Sequence, residues 1–392
     1  MEQLKQRIDE LFEEMVAIRR DIHQHPELGC KENRTAALIE NTLKQLGIET
    51  SRVAGTGVVG IIEGQKPAPV VMLRADMDAL PITEESDLSY KSINDGVMHA
   101  CGHDAHTAIL LTAAKILQEN RSSLKGTVKL VFQPDEERAG AIEMVNEGVL
   151  ENPAVDAAFA LHLWSYLPSG QIGISAGPIM AGLDVFQIKI KGVGGHTGAP
   201  ENSIDPVLTA ANVIQTVQSL QTREISNLKS TVIMFGKIHG GTKGSIIPEV
   251  VELEGTIRFL YKGGPDSEEQ PTERFIRIVE GVCATHRCAC EIKVEHENIP
   301  LINNLQMAQL ARETALEIFP SESAIVDNRS LAGEDFSEFA SRVPGVLVFL
   351  GTANEVCLSH YPHHHAQFNI DEETMKEGVA MHVQFAFNFF NQ

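Results

Sequence analysis

Val70-Val71-Met72-Leu73-Arg74-Ala75-Asp76-Met77-Asp78-Ala79-Leu80-Pro81 is the stretch on which the fold turns. Val70–Leu73 is a short apolar run of the kind that forms a buried strand. It runs into a polar segment that delivers Asp76 and Asp78 at its carboxyl end. Outward from it lie similar runs at Val58–Ile62, Val128–Phe132, Ala157–Leu161 and Val346–Leu350. Helical patterns separate them, as at Ala105–Leu117 and Ala141–Leu150. Near the start, Leu4, Ile8, Leu11, Met15, Ile18 and Ile22 recur at 4-3-4-3-4 spacing, one face of a helix. Strands alternating with helices predict an α/β domain with a mostly parallel sheet, built from residues 1–182 and 298–392.

The middle of the chain follows a different rhythm. Asp184–Lys191 alternates apolar and polar residues, the period of a strand with one solvated face. A helical stretch from about Pro206 to Leu220, alternating stretches at Ser230–Ile238 and Val250–Leu260, a helix over Thr272–Cys283 and a strand at Cys290–Glu295 complete it. This order predicts an inserted α+β satellite domain over residues 183–297, with one open sheet face.

The 392 residues carry 53 acidic and 32 basic side chains, a net charge of −21. Such a surface repels phosphate backbones and anionic lipid, which argues against nucleic-acid and membrane partners. No apolar run approaches the ~20 residues that span a bilayer. The six cysteines form no disulfide framework, and the N-terminus lacks a signal-peptide pattern, so a reducing cytoplasm is the expected compartment.

In open α/β sheets, ligands bind beyond the carboxyl ends of the strands. There the sequence places Asp76 and Asp78, then Asp135, Glu136 and Glu137 after Val128–Phe132, and His162 after Ala157–Leu161. The loop H-A-C-G-H-D-A-H adds His99, Cys101, His103, Asp104 and His106, and Ser359–Ala366 adds a run of histidines. Any one of these alone is ordinary. Together they offer thiolate, imidazole and carboxylate, the usual donors for zinc-like ions. Cys101 and His103, two apart, can face one ion. If Glu136 and Glu137 lie in extended backbone they point to opposite sides; one can then ligate metal while the other moves a proton from water acidified by the ion. Asp104 reads as a cap for the helix that follows it, the alternative being a carboxylate that supports a neighbouring ligand.

At this point the residues become recognisable. R-R-D-I-H-Q-H-P-E-L, R-A-D-M-D-A-L-P, H-A-C-G-H-D-A-H-T-A, F-Q-P-D-E-E, L-H-L-W, G-G-H, G-T-I-R, G-E-D-F and H-x-A-x-F-x-I-D follow in order along nearly the whole chain. The chain resembles the amidohydrolase subgroup of the co-catalytic metallopeptidases, which includes hippurate hydrolase, indole-3-acetyl-amino-acid hydrolases and bacterial aminoacylases. The resemblance implies a two-metal catalytic domain plus a satellite domain that usually dimerises. It implies Cys101, His103, Glu137, His162 and His364 as ligands of two divalent transition-metal ions, whether zinc, manganese, cobalt or nickel. Glu136 would be the general acid/base and Asp78 the carboxylate that orients a ligand or base. His196 and Arg258 would bind substrate from the satellite domain. The activity implied is hydrolysis of an N-acyl amino acid by a homodimer; the alternatives are a metallo-carboxypeptidase or dipeptidase, and a catalytically silent metal- or ligand-binding relative.

Three segments depart from the pattern. Ser245-Ile246-Ile247-Pro248 stands where relatives commonly have N-V-I-P, Pro200-Glu201 where a second histidine often follows proline, and F-Q-P-D-E-E-R where F-Q-P-A-E-E-G is commoner.

Overall fold

The structure, a computed structural model, describes residues 1–263 and 267–392. They divide into two compact units. The first comprises Met1–Gly177, Ile302–Arg329 and Glu334–Gln392; the second comprises Pro178–Leu301 and Ser330–Gly333. Among the described residues, no helix is long and apolar enough to cross a membrane.

The first unit is built on an eight-stranded sheet. Its order is Glu49–Val53, Gly57–Glu63, Thr127–Gln133, Val70–Asp76, Ala157–Pro168, Gly345–Ala353, Ile172–Gly173, Ile325–Val326. The four central strands, Thr127–Gln133 to Gly345–Ala353, run parallel. Antiparallel pairs flank them. Val70–Asp76 and Thr127–Gln133 are buried at every residue, as parallel strands covered on both faces must be. The strand from Ala157 continues to Pro168, well past the Leu161 end that the sequence suggests. His162 therefore sits within a strand. Its register explains its role: the pairing with Val70–Asp76 ends at Arg74↔Ala160, and His162 and Asp76 lie two residues beyond.

Helix His103–Glu119 is the pivot of this unit, with 14 of its 17 residues buried. A helix that is apolar all round belongs inside. Its alanines 105, 108, 113 and 114 let neighbouring helices come close. One neighbour is helix Met375–Phe390, where Gly378 makes room for Ile109: a Cβ there would lie 2.9 Å from Ile109 Cδ1. The other is the N-terminal helix Glu2–Gln24, which buries Ile8, Leu11, Met15 and Ile22.

Asp104 does not cap its helix; the residue before the first turn is Gly102, with no side-chain cap. Its carboxylate is instead the anchor for the N-terminal helix. Asp104 Oδ2 lies 2.8 Å from both Arg19 Nε and His23 Nδ1, all three side chains almost wholly buried. His23 also reaches Glu84 at 3.3 Å, and the Arg19 guanidinium lies 4.8 Å over the Tyr90 ring.

The second unit carries an antiparallel four-stranded sheet, ordered Thr231–Gly240, Val250–Phe259, Gly182–Lys191, Ala289–Asn298. Helices Pro206–Thr216 and Pro271–Thr285 cover one face around Phe186, Leu253 and Phe275. Asp205 starts the first of these, accepting the backbone N–H of Val207 at 2.8 Å. The other face is laced with Lys189–Glu252, Lys191–Glu291 and Lys237–Glu254 pairs.

Removing one partner of a buried ion pair leaves the other charge stranded, at a cost of about 3–5 kcal/mol. Arg19→Met is expected to lower unfolding stability by about that much in urea titrations of chelator-treated protein. A loss below about 1 kcal/mol would show that Asp104 does not depend on Arg19.

Candidate metal centre

Cys101 and His103 flank Gly102, whose φ of +93° places it in the left-handed region open to glycine. The chain turns there directly into helix His103–Glu119, which fixes His103 at the first position. Its ring is oriented by Asp78, the Nδ1 lying 3.1 Å from the carboxylate and 3.0 Å from the backbone carbonyl. Both are acceptors, so the proton is on Nδ1 and the Nε2 lone pair points into the centre. Burial disfavours a charged His103 ring, but Asp76, Asp78 and Glu137 outweigh it and raise the group to about 10, so without a cation Nε2 also carries a proton, and a bound cation would take that proton's place.

The same logic sorts the other histidines. His162 donates from Nδ1 to the Leu163 carbonyl at 2.7 Å, so its Nε2 lone pair faces Cys101 Sγ at 3.7 Å. Burial holds it well below the usual histidine range. His106 has no nitrogen to spare: Nδ1 bonds Asp76 at 2.5 Å and Nε2 accepts the Leu163 N–H at 2.8 Å. It supports the neighbouring strand rather than a ligand. His364, in an exposed loop, sets Nε2 3.3 Å from Glu137 Oε1. Its backbone has φ +64°, strained for a residue with a side chain, and is held by its N–H on the Ala100 carbonyl at 2.8 Å.

Glu136 and Glu137 are not in extended backbone. They occupy a 3₁₀ turn, Glu136–Arg138, set off by Asp135 at φ +56° and Ala139 at φ +63°. Strand Thr127–Gln133 has already ended, and the tight turn rather than strand alternation parts the two carboxylates. Glu137 joins Cys101 and His364 in one set of donor atoms that all lie within 4.8 Å of each other; Glu137 and Glu136 join His103 in another. The Glu137 N–H donates to Asp78 Oδ2 at 3.2 Å. Asp78 thus positions both a histidine and a glutamate. On its far side Glu136 approaches Glu334 and Asp335. Burial, with Glu334, Glu137 and Asp335 beside it, holds the Glu136 carboxyl well above the usual range. Burial and the nearby glutamates push the Cys101 thiol up as well.

The five ligands implied by the resemblance, with Glu136 and Asp78, are therefore brought together in the first unit. His196 and Arg258 belong to the second. His196 is exposed in a two-residue strand paired with Ile246–Ile247, its Nδ1 accepting the Gly198 N–H at 2.9 Å. That pairing places the S-I-I-P departure directly beside G-G-H. Arg258 donates to the Leu331 carbonyl at 2.8 Å.

Sequence reasoning gave no role to the residues that hold this centre. Arg74 binds Asp76 at 2.7 Å, Glu334 at 3.1 Å and Asp335 at 3.2 Å, wholly buried. Strand alternation carries the signal, since Arg74 and Asp76 are two apart and share a face. Arg19 and His23 are four apart on a helix and likewise share a face.

Among the buried atoms without a hydrogen-bond partner are His103 Nε2 and Glu137 Oε1. Both belong to the donor sets just described. Buried polar atoms are rarely left so, and cation coordination would satisfy both. His162 joins Asp76, His103 and His106 in a further set, so Cys101, His103, Glu137, His162 and His364 would hold divalent ions across three sets, with His103 and Glu137 each common to two. A buried mixed thiolate, imidazole and carboxylate centre at the carboxyl ends of parallel strands defines a metal-dependent hydrolase. Residues 72–388 match peptidase family M20/M25/M40, and the chain belongs to that family. It is similar to thermostable carboxypeptidase 2 of Saccharolobus solfataricus, 39% identical over 399 residues, with 100% of this chain and 99% of that protein covered. It is 38% identical over 367 residues to N-acetyl-L-cysteine deacetylase of Bacillus subtilis, covering 92% and 85% of the two chains. Among solved structures, a dinuclear metal-binding peptidase of the M20 family from Bacillus subtilis is 33% identical, with 98% and 99% covered and a TM-score of 0.84.

Chelation is expected to abolish activity and a divalent transition ion to restore it. Asp78→Asn removes the charge that orients His103 and is expected to weaken metal binding ten- to a hundred-fold, the usual order for such partners. Competition with a chromophoric chelator measures it, and wild-type affinity in the variant would remove Asp78 from that role.

Proposed function

We propose that the protein hydrolyses the amide bond of N-acyl amino acids, releasing a carboxylic acid and an amino acid. The observation that carries this reading is the turn Glu136–Arg138, which sets a ligand-type carboxylate, Glu137, next to a carboxyl held unusually basic, Glu136. Bound divalent ions supply Lewis-acid polarisation of the amide carbonyl and acidify water. Glu136 takes a proton from the attacking water and returns it to the departing amine nitrogen. A carboxyl pushed upward can do both, because a general acid–base works best with a pKa near the operating pH. Asp78 keeps the His103 ring and the Glu137 backbone in register while the proton moves. The deacetylase relative supports an acyl substrate.

A second reading, metallo-carboxypeptidase action on short peptides, is favoured by the Saccharolobus relative. The two readings share a chemistry: in both, the leaving group is an amino acid with a free α-carboxylate. They differ in whether the acyl side is a simple acid or a peptide. A net charge of −21 repels that carboxylate at long range, so a local cation must hold it. Arg258 is our assignment for it, since a guanidinium binds a carboxylate through two parallel hydrogen bonds. The nearby acids do not compete: Glu252 pairs with Lys189 at 3.3 Å and Glu254 with Lys237 at 2.7 Å. His196 is assigned to the oxyanion side of the substrate, and the second unit to a homodimer contact.

Release of free amine from a panel of N-acyl amino acids, dipeptides and longer peptides, with each metal added back, tests the reading. Simple acyl substrates are expected to be turned over fastest; cleavage of peptides alone would replace it with the carboxypeptidase. Glu136→Gln is expected to lower kcat by ~10²–10⁴-fold with metal content unchanged. Loss of metal with turnover merely halved would exchange the roles of Glu136 and Glu137. Arg258→Met is expected to raise KM for the free acid, but not for its primary amide, on the order of ten- to a hundred-fold, the equivalent of a charge-assisted hydrogen bond. Light scattering at micromolar concentration is expected to report a dimer; a pure monomer counts against that contact.

A further inference from the structure

His363 precedes the ligand-type His364 and has no part in the mechanism above. Its ring is nevertheless fixed as firmly as any in the centre. It packs against Trp164 at 4.9 Å, Phe368 at 5.1 Å and His162 at 5.5 Å between ring centres. The Ser165 backbone N–H donates to its Nε2 at 3.2 Å. Nε2 is thus an acceptor, and in the neutral ring the proton is on Nδ1. That Nδ1 lies 3.7 Å from Cys101 Sγ. The Cys101 thiol cannot donate to a nitrogen that already carries a proton, so the bond runs the other way, from ring to sulfur. Cys101 therefore stands between two imidazoles of opposite character. His162 turns a lone pair towards it and His363 turns an N–H towards it.

We propose that His363 is a positioning residue whose Nδ1–H donates a hydrogen bond to the Cys101 thiolate, aiming the sulfur and tempering its electron donation to the metal. The inference rests on Cys101 being a metal ligand. An N–H donor stabilises negative charge on sulfur. It draws electron density from the sulfur, so the thiolate-to-metal charge-transfer transition lies at higher energy than it would without the donor. His363 needs no contact with substrate to act in this way. Its partner Ser165 lies on the same strand as His162. One strand therefore orients both imidazoles that face the sulfur.

The cobalt(II)-substituted protein reads this directly. His363→Phe keeps an aromatic ring against Trp164 and removes the donor. His363→Asn places an amide N–H₂ near the position of Nδ1. The expected result is a thiolate-to-cobalt band shifted to longer wavelength in His363→Phe and restored towards wild type in His363→Asn. The metal dissociation constant is expected to rise on the order of ten- to a hundred-fold in the first variant and to recover in the second. A band that does not move in either variant overturns the inference, even if both bind metal less tightly, because that is what lost packing alone would give. Absence of any thiolate band in the wild-type protein overturns the assignment of Cys101 as well. Wild-type protein loaded with ¹¹³Cd and labelled with ¹⁵N-histidine gives a second reading that needs no variant. A proton on His363 Nδ1 coupled through sulfur to cadmium is expected, and an Nδ1 without a proton refutes the proposal.

Discussion

The carboxylate of Asp78 is engaged on both sides. One oxygen faces the His103 ring at 3.1 Å and the other accepts the Glu137 N–H at 3.2 Å. These two contacts tie the end of one strand to the start of a helix and to the turn after another strand. Without them, His103 would be free to turn its protonated nitrogen inward, and the Glu136–Arg138 turn would lose the anchor that sets its two carboxylates. The bond is cheap in residues and exacting in geometry, because Asp78 is buried and lies just beyond a fully buried strand. A carboxylate on a mobile loop could not hold two groups from different elements to the same point.

The charge of the centre explains the rest of its architecture. Asp76, Asp78, Glu136, Glu137, Glu334, Asp335 and the Cys101 thiol crowd a small volume, and Arg74 is the buried guanidinium among them. Burial disfavours the charged forms of Glu136, Glu334, Asp335 and Cys101, whereas His103, Arg74 and His106 outweigh it at Asp76 and hold that carboxyl well below the usual range. The upward push on Glu136 and Cys101 is the direct result. Divalent ions balance such a cluster, so the sequence that folds this domain also specifies what it must bind. Arg74 holds Glu334 and Asp335 beside Glu136, and those neighbours keep its carboxyl basic enough to carry a proton.

The parallel sheet and the donor types were legible in the sequence because both rest on local patterns. Buried runs such as Val70–Leu73 can be read from four residues, and Cys101-x-His103 from three. The turn at Glu136 was not legible, because an acidic pair after a strand looks the same whether the strand continues or breaks; only the strained backbone at Asp135 and Ala139 separates the two cases. The partner of Asp104 is hidden for a similar reason. At the start of a helix, an aspartate that caps and one that receives an arginine from 85 residues earlier have the same local signature. His162 reads as a strand end because it interrupts the apolar run, whereas the backbone ladder with Gly345–Ala353 goes on to Pro168. The roles of Arg74, Glu334 and Asp335 depend on contacts between segments some 260 residues apart, which no local pattern records.

The donors also differ in how they meet water. His103, His162 and Cys101 lie on rigid elements and are at most 8% exposed, whereas the His364 side chain is 51% exposed on a loop. His364 is the candidate donor through which the centre would open to solvent. The strained backbone at that residue means its conformation is maintained by its surroundings rather than by its own preference. The donor that faces solvent and the donors sealed from it thus depend on different parts of the chain.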